Sequence, residues 1–219
     1  MPVLDDDPVE DHMHTGADAT LSGLGYRVVR VAGPNEYATA VAIAGQLGDP
    51  ATVFEATGLN FFDALSAVPA AIKDHAAILL TDGPIQAPET AAYLAMHTSD
   101  VRYAIGGPLA AFGADPSATP VFGPDLFATS AAVASTFFPG ASVFGAATAA
   151  SFPDALGGGV FMATSGRIGP LLLVNPNAPL PGPIVPYLHS LAPGTPGFVF
   201  GGPLAVGDDV VAALEAALG

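Results

Sequence analysis

Apolar and polar positions along the chain follow two rhythms. Short apolar runs such as Ala77-Ile78-Leu79-Leu80 and Leu171-Leu172-Leu173 alternate with longer stretches in which apolar residues recur every three or four positions. The first rhythm fits strands and the second fits amphipathic helices. In the first half it predicts strands near 28–32, 51–56, 76–80 and 101–105, with helices near 35–47, 60–74 and 87–97. In the second half it predicts strands near 119–122, 141–146, 169–174 and 197–201, with helices near 125–137, 152–164, 183–191 and 208–218; residues 106–118 form the connection. Such alternation is built as βα units feeding a parallel sheet through right-handed crossovers. The unbroken triplets Ile78-Leu79-Leu80 and Leu171-Leu172-Leu173 are expected in central strands covered on both faces.

The two halves repeat one another. Gly33-Pro34-Asn35-Glu36-Tyr37-Ala38-Thr39 returns as Gly123-Pro124-Asp125-Leu126-Phe127-Ala128-Thr129, a shift of 90. Phe61-Phe62-Asp63-Ala64-Leu65 returns as Phe152-Pro153-Asp154-Ala155-Leu156 at 91, Ala77–Leu80 as Pro170–Leu173 at 93, and Gly106-Gly107-Pro108-Leu109-Ala110 unchanged at 95. Four matches in one order with a slowly growing offset mean duplication with small loop insertions. The chain therefore divides into an arm at 1–26, a first unit at 27–118 and a second at 119–219.

Charge narrows the partners. Twenty Asp and Glu stand against five Lys and Arg, a formal net charge of -15. A nucleic-acid backbone needs a basic face, and five scattered cations do not make one. Six acids fall within the first eighteen residues (Asp5, Asp6, Asp7, Glu10, Asp11 and Asp18), so this arm is expected to be solvated and disordered. Fourteen acids against five cations leave -9 on the rest. Mean hydropathy is +0.51, yet no apolar run approaches the ~18 to 20 residues that span a bilayer. Met1 is followed by Pro2 and acids, without the basic start and apolar core of a secretory signal. The absence of Cys fits an exported and a cytosolic chain equally.

Candidate chemistry is sparse. Asn60 and Ser151 suit helix N-caps, and Asp63 and Asp154 lie three residues on, where a carboxylate can reach back to the cap. That capping role is preferred to the alternative, an acid/base pair with one carboxylate per unit. Gly106-Gly107 and Gly201-Gly202 read as tight turns after strands rather than phosphate cradles, because neither completes G-x-G-x-x-G. His12-x-His14 beside Asp11 is too short a pattern for a metal site, and His75, His97 and His189 stand alone. G-x-S-x-G, H-E-x-x-H and a P-loop are all missing.

The blocks R-V-A-G-P-N-E-Y-A-T-A-V-A-I-A, N-F-F-D-A-L-S-A, A-I-L-L-T-D and Y-A-I-G-G closely resemble the cell-wall-binding repeat type 2 family of Gram-positive surface proteins. The resemblance covers 28–113 and 119–219. It implies a non-catalytic α/β module of Rossmann-like fold, in two tandem copies with parallel sheets flanked by helices. It also implies attachment to an anionic wall polysaccharide and an extracellular, cell-wall location; the family commonly packs three copies as a threefold assembly. The family's P-I-L-L block falls on Ala77–Leu80 and Pro170–Leu173, so the first copy lacks the Pro and the second has Leu171 for Ile. Its Arg before the first Gly survives as Arg30 but is Pro120 in the second copy, and the Arg before its aromatic is Glu36 and Leu126. Both changes remove positive charge.

The leading expectation is a wall-associated binding or anchoring protein. The binding residues marked are Arg30, Thr57, Asn60, Asp63, Ile78, Leu79, Leu80, Thr81, Gly106 and Gly107 in the first unit. In the second they are Ser151, Asp154, Leu171, Leu172, Leu173, Asn175, Gly201 and Gly202. No cofactor is expected, and calcium is the ion that could bridge acidic residues to an anionic polymer. Two alternatives stay open: an assembly module that forms a homo-oligomer without holding polymer, and a small-ligand site at the carboxyl ends of the strands.

Overall fold

The computed structural model describes residues 8–164, 166 and 168–219, with side chains described from Gly16 onward. Ala32–Gly219 form one compact unit, and the residues up to Val31 form another. In the N-terminal unit a helix, α1 (Pro8–Gly23), stands where a disordered arm was expected; Asp5, Asp6 and Asp7 lie outside the described residues. The strand expected at 28–32 does not form, and the chain there is extended without ladder partners among the described residues. Strand propensity alone does not make a strand when no neighbouring edge takes its hydrogen bonds.

In the larger unit the first repeat runs α2 (Glu36–Gln46), β1 (Thr52–Thr57), α3 (Phe62–Lys73), β2 (Ala77–Thr81), α4 (Pro88–Met96), β3 (Val101–Ile105) and the single turn α5 (Ala111–Ala114). The second runs β4 (Thr119–Val121), α6 (Leu126–Phe137), β5 (Phe144–Thr148), α7 (Pro153–Thr164), β6 (Leu171–Val174), a 3-10 turn at Gly182–Ile184, α8 (Val185–His189), β7 (Gly197–Phe200) and α9 (Asp208–Ala216). Every strand pairing is parallel. Among the described residues no helix is long and apolar enough to cross a membrane.

The sheets do not divide as the repeats do. One has the order β2-β1-β3-β4 and the other β6-β5-β7. Thus β4, which opens the second repeat, closes the sheet of the first, with Tyr103, Ala104 and Ile105 opposite Thr119, Pro120 and Val121. Pro120 is tolerated because an edge strand turns alternate N–H groups away from the ladder. The triplets expected in central strands lie instead in β2 and β6, at sheet edges. In β6 the unbroken run reports cover on both faces rather than hydrogen-bonded neighbours on both sides, whereas in β2 Ile78 and Leu80 are only half-buried.

The repeated G-P-[N/D]-x-x-A-T motif shows why both helices start alike. Asn35 and Asp125 cap α2 and α6, their side chains accepting from the N–H of Ala38 at 2.8 Å and of Ala128 at 2.7 Å. Thr39 and Thr129 turn back to accept from the N–H of Gly33 at 3.0 Å and of Gly123 at 3.2 Å. A Cβ on Gly33 would lie 2.3 Å from Ala38, and on Gly123 2.2 Å from Ala128, so only glycine fits.

The two repeats share their core. Val133, Phe137 and Phe138 of the second repeat pack with Phe54, Ala67, Ala70 and Ala71 of the first. On the other side Leu65 of α3 packs with Ala147, Ala155, Leu171 and Leu173. Gly159 of α7 allows this approach, since a Cβ there would already meet Val68 at 3.2 Å.

Candidate functional site

A crevice of about 380 Å³ opens where the carboxyl ends of β1, β3 and β4 meet. One wall comes from the first repeat (Asn60, Phe62, Asp63 and Gly107–Ala110) and the other from the start of the second (Phe122–Leu126 and Thr129). The carboxyl ends of parallel strands are where open α/β sheets hold ligands, and the floor here exists only because β4 crosses to the first sheet.

The F-x-D-A-L aspartate sits differently from the capping expectation. Helix α3 starts at Phe62 and its cap, Phe61, makes no side-chain cap bond, while Asn60 accepts from the N–H of Phe62 at 3.2 Å. Asp63 is therefore the second residue of the helix, one short of the position from which a capping box closes. Its carboxylate turns onto the Gly-Gly turn: a Cβ on Gly106 would fall 2.5 Å from Asp63 Oδ2, and Gly106 has φ of 114°. In the second repeat Gly201, φ 115°, stands against Asp154 Oδ2 in the same way, at 2.7 Å. Each aspartate thus serves its own repeat's turn. Asp63 lines the crevice and Asp154 does not, so the two do not converge on one cleft as an acid/base pair would.

Asp63 is 9 % exposed, and burial pushes its carboxyl up to about 6. Asp125, the cap of α6, supplies a second carboxylate to the crevice. Neither Lys nor Arg lines it. The crevice offers a carboxamide, two carboxylates, a threonine hydroxyl and the rings of Phe62 and Phe122. That set suits hydroxyl-rich or cation-bridged ligands more than a bare anion. Among the described residues no group of three or more His, Asp or Glu is placed to hold a metal ion.

The remaining marked residues fall into three settings. Thr57 and Thr81 are buried at strand ends, where Thr57 Oγ1 accepts from the N–H of Leu59 at 3.2 Å and Thr81 Oγ1 donates to the carbonyl of Gly83 at 2.9 Å. Leu79, Leu171, Leu172 and Leu173 are closed inside the fold, while Ile78 and Leu80 are half-buried. Ser151, Asn175, Gly201 and Gly202 are exposed, and among the described residues no strand beyond β7 builds a second wall beside them. Arg30, in the N-terminal unit, is ion-paired with Asp18. Arg102 donates to Asp115 at 2.8 Å and to Ser117 at 3.2 Å. His12, His14 and Arg167 lie outside the described side chains.

Motif reading missed Phe122, Gly123, Asp125 and Thr129 as crevice wall; their signal was the repeated G-P-[N/D]-x-x-A-T block, taken only as a mark of duplication. It also missed Glu55. This residue sits in the middle of β1, fully buried, receiving Gln86 Nε2 at 2.6 Å while its Oε1 has no partner. Burial pushes its carboxyl up to about 7; the Gln86 bond opposes the rise and the nearby Asp115 charge adds to it. The equivalent residue in the second repeat is Ala146.

A family model described as Cell wall binding domain 2 matches residues 30–111 and again 121–211. Among solved structures, Cwp8 from Clostridium difficile superposes with a TM-score of 0.79 at 21% identity, over 93% of this chain and 36% of that one. Cwp6 from Clostridium difficile gives 0.71 at 22% identity, over 85% of this chain and 31% of that one. The chain thus spans about a third of each of these proteins, and the likeness is one of fold. A comparison with curated protein sequences gives no match.

Proposed function

The chain belongs to the cell wall binding domain 2 family, and from that premise we propose that it is a non-catalytic binding and anchoring module at the cell-wall surface. The observation that carries this reading is the double family match, which falls on both sequence repeats in order. The fold shared with Cwp8 and Cwp6 from Clostridium difficile agrees with that match. The crevice between the repeats is the proposed polymer site, with Asn60, Asp63, Asp125 and Thr129 meeting sugar hydroxyls and Phe62 and Phe122 meeting the apolar faces of the rings.

Charge decides how an anionic polymer is held. A chain of net charge -15 repels it over roughly 8 Å at physiological ionic strength, and the crevice adds two carboxylates without a cation. We therefore propose that a divalent cation such as calcium bridges crevice carboxylates to polymer oxygens. Calcium takes six to eight oxygen ligands in flexible geometry, so the polymer completes a shell that two protein carboxylates leave open. Co-sedimentation with purified Gram-positive cell walls, with and without a chelator and at low and high monovalent salt, tests this. Binding lost on chelation supports the bridge. Binding that survives chelation but falls steeply with salt rejects it in favour of the arginines, and no binding under any condition rejects the anchoring role itself.

A further inference from the structure

The connection that walls the crevice is tied to the first sheet by a buried polar cluster. Gly107–Ala110 line the crevice, and their backbone runs straight into α5. The N–H of Ala110 donates to the carbonyl of Gly107 at 2.9 Å, that of Phe112 to Gly106 at 3.2 Å and that of Asp115 to Ala111 at 2.9 Å. A single helical turn does not hold itself in place. Two contacts fix it: Ala111 packs with Ala104 and Ala118, and Asp115, at the end of α5 and 8% exposed, turns into the fold.

Asp115 is rich in donors and the carboxyl that faces it is poor in them. Asp115 Oδ2 accepts from Arg102 Nη1 at 2.8 Å, while Oδ1 accepts from the N–H of Ser117 at 2.9 Å and from the Ser117 hydroxyl. Glu55 has Gln86 alone, on Oε2, and its Oε1 receives no bond. Gln86 from the loop before α4, Arg102 from β3 and Asp115 from the end of α5 are the groups that face Glu55, with Leu79 of β2 and Ala104 of β3 beside it in register. Two buried carboxylates in contact repel each other, and neither has a proton to donate. One proton between them reverses both effects. It belongs on Glu55, because three donors spread the charge of Asp115 and only one serves Glu55. Their acidities divide the same way: burial carries Glu55 upward, whereas against burial the Ser117 bonds, the Glu55 bond and the Arg102 charge hold Asp115 below the ordinary carboxylate range.

We propose that Glu55 donates a shared proton to Asp115 and so latches the crevice wall to the first sheet, and that loss of this proton frees the wall to open. The second repeat provides an internal comparison. Offsets of 91 and 95 put Ala146 and Val210 at these two places, both buried in an apolar core. There the chain after the Gly-Gly turn builds the nine-residue α9 in place of the single turn α5. The carboxyl pair thus stands in the repeat whose Gly-Gly turn lines the crevice, and apolar packing replaces it in the other.

The direction of the response follows from the two states. Opening brings Glu55 to water, where its ordinary value of 4.5 returns, while the closed form holds the proton up to about 7. The open form therefore gives the proton up more readily, and rising pH favours it. The latch is tight below about pH 4.5, loosens by up to about tenfold per pH unit above that, and levels off beyond about pH 7. Whatever occupies the crevice meets a firm wall in acid and a mobile one in base.

Native-state hydrogen exchange of the full chain and of Glu55→Gln, from pH 5 to pH 8 and corrected for the intrinsic rate at each pH, tests the latch. The reporters are the amides of Ala110, Phe112 and Asp115, read against those of Leu171–Val174 in β6. The Gln carboxamide keeps an acceptor for Gln86 and donates to Asp115 at every pH, so that variant stays latched. Asp63, against the Gly106 turn, titrates in both chains. Wild-type protection at the three reporters is expected to fall at least about tenfold more than that of Glu55→Gln over this range. An equal fall in the two chains overturns the proposal, and so does a wild-type fall no larger than that in β6. On the reading that the crevice holds wall polymer, Glu55→Gln also sediments with cell walls more than the wild type does at pH 8, and equally at pH 5. Exchange needs no polymer, so the two failures differ: a false latch gives equal exchange in the two chains, and a false polymer site gives no sedimentation by either.

Discussion

Replacing Glu55 with Gln should stabilise this protein at neutral pH and remove the part of its pH dependence between 4.5 and 7 that this carboxyl supplies. The carboxyl lies fully buried in β1, one oxygen bonded to Gln86 and the other without a partner. Burial raises it from the ordinary 4.5 to about 7, with Asp115 reinforcing the rise and Gln86 and Arg102 opposing it. The folded chain therefore binds this proton more tightly than the unfolded chain does. The contribution of this group to stability is full below about pH 4.5, falls as the pH rises to about 7 and then levels off. At 1.36 kcal/mol per pH unit the loss is about 3 kcal/mol. Gln is isosteric, keeps an acceptor for Gln86 and carries no charge to desolvate. Urea unfolding of both proteins from pH 4 to pH 8 should give nearly equal stabilities at the acid end, with Glu55→Gln ahead by about 3 kcal/mol at pH 8. Asp115 faces Glu55 and each carboxyl shifts the other, so the difference between the two chains reports Glu55 together with its coupling to Asp115. Equal slopes in the two proteins across this window would refute the argument.

Leu65→Ala should cost about 2–5 kcal/mol, since the side chain is buried at the repeat junction, whereas Leu156→Ala, at the equivalent exposed site, should cost under about 1 kcal/mol in dilute monomer; chemical denaturation of both checks this. Gly123→Ala should destabilise by about 1–3 kcal/mol or more, read as a lowered melting temperature, because its Cβ would lie 2.2 Å from Ala128. Asp63→Asn should flatten a second fall in stability, between pH 3.8 and about 6, worth about 2–3 kcal/mol and measured by the same pH series of urea curves.

Features set by local backbone demands could be read from the sequence. Gly33 and Gly123 recur because Ala38 and Ala128 leave no room for a Cβ, and Asn35 and Asp125 recur because a helix start needs an acceptor, so the duplication and most βα units follow from pattern alone. What depends on pairing between distant segments did not follow. The run at 28–32 has strand composition but no edge to join, while the weaker run at 119–121 forms β4 because β3 offers one. The crevice was half visible for the same reason: Asn60 and Asp63 stood out, but their opposite wall lies some sixty residues on and arrives only through that crossover. Glu55, the lone charge in an apolar strand, was a readable sign of a buried carboxyl that went unused.

The anchoring account is tested most directly by the wall-bound fraction of the wild-type chain and of Asp63→Asn/Asp125→Asn, each with calcium and with a chelator. Asn at 125 keeps the acceptor that caps α6, so the double variant removes crevice charge while preserving the helix start. The account predicts calcium-dependent sedimentation of the wild type and loss of most of that binding in the double variant. Equal binding by the two chains, or stronger binding by the variant, would contradict a cation-bridged site in the crevice.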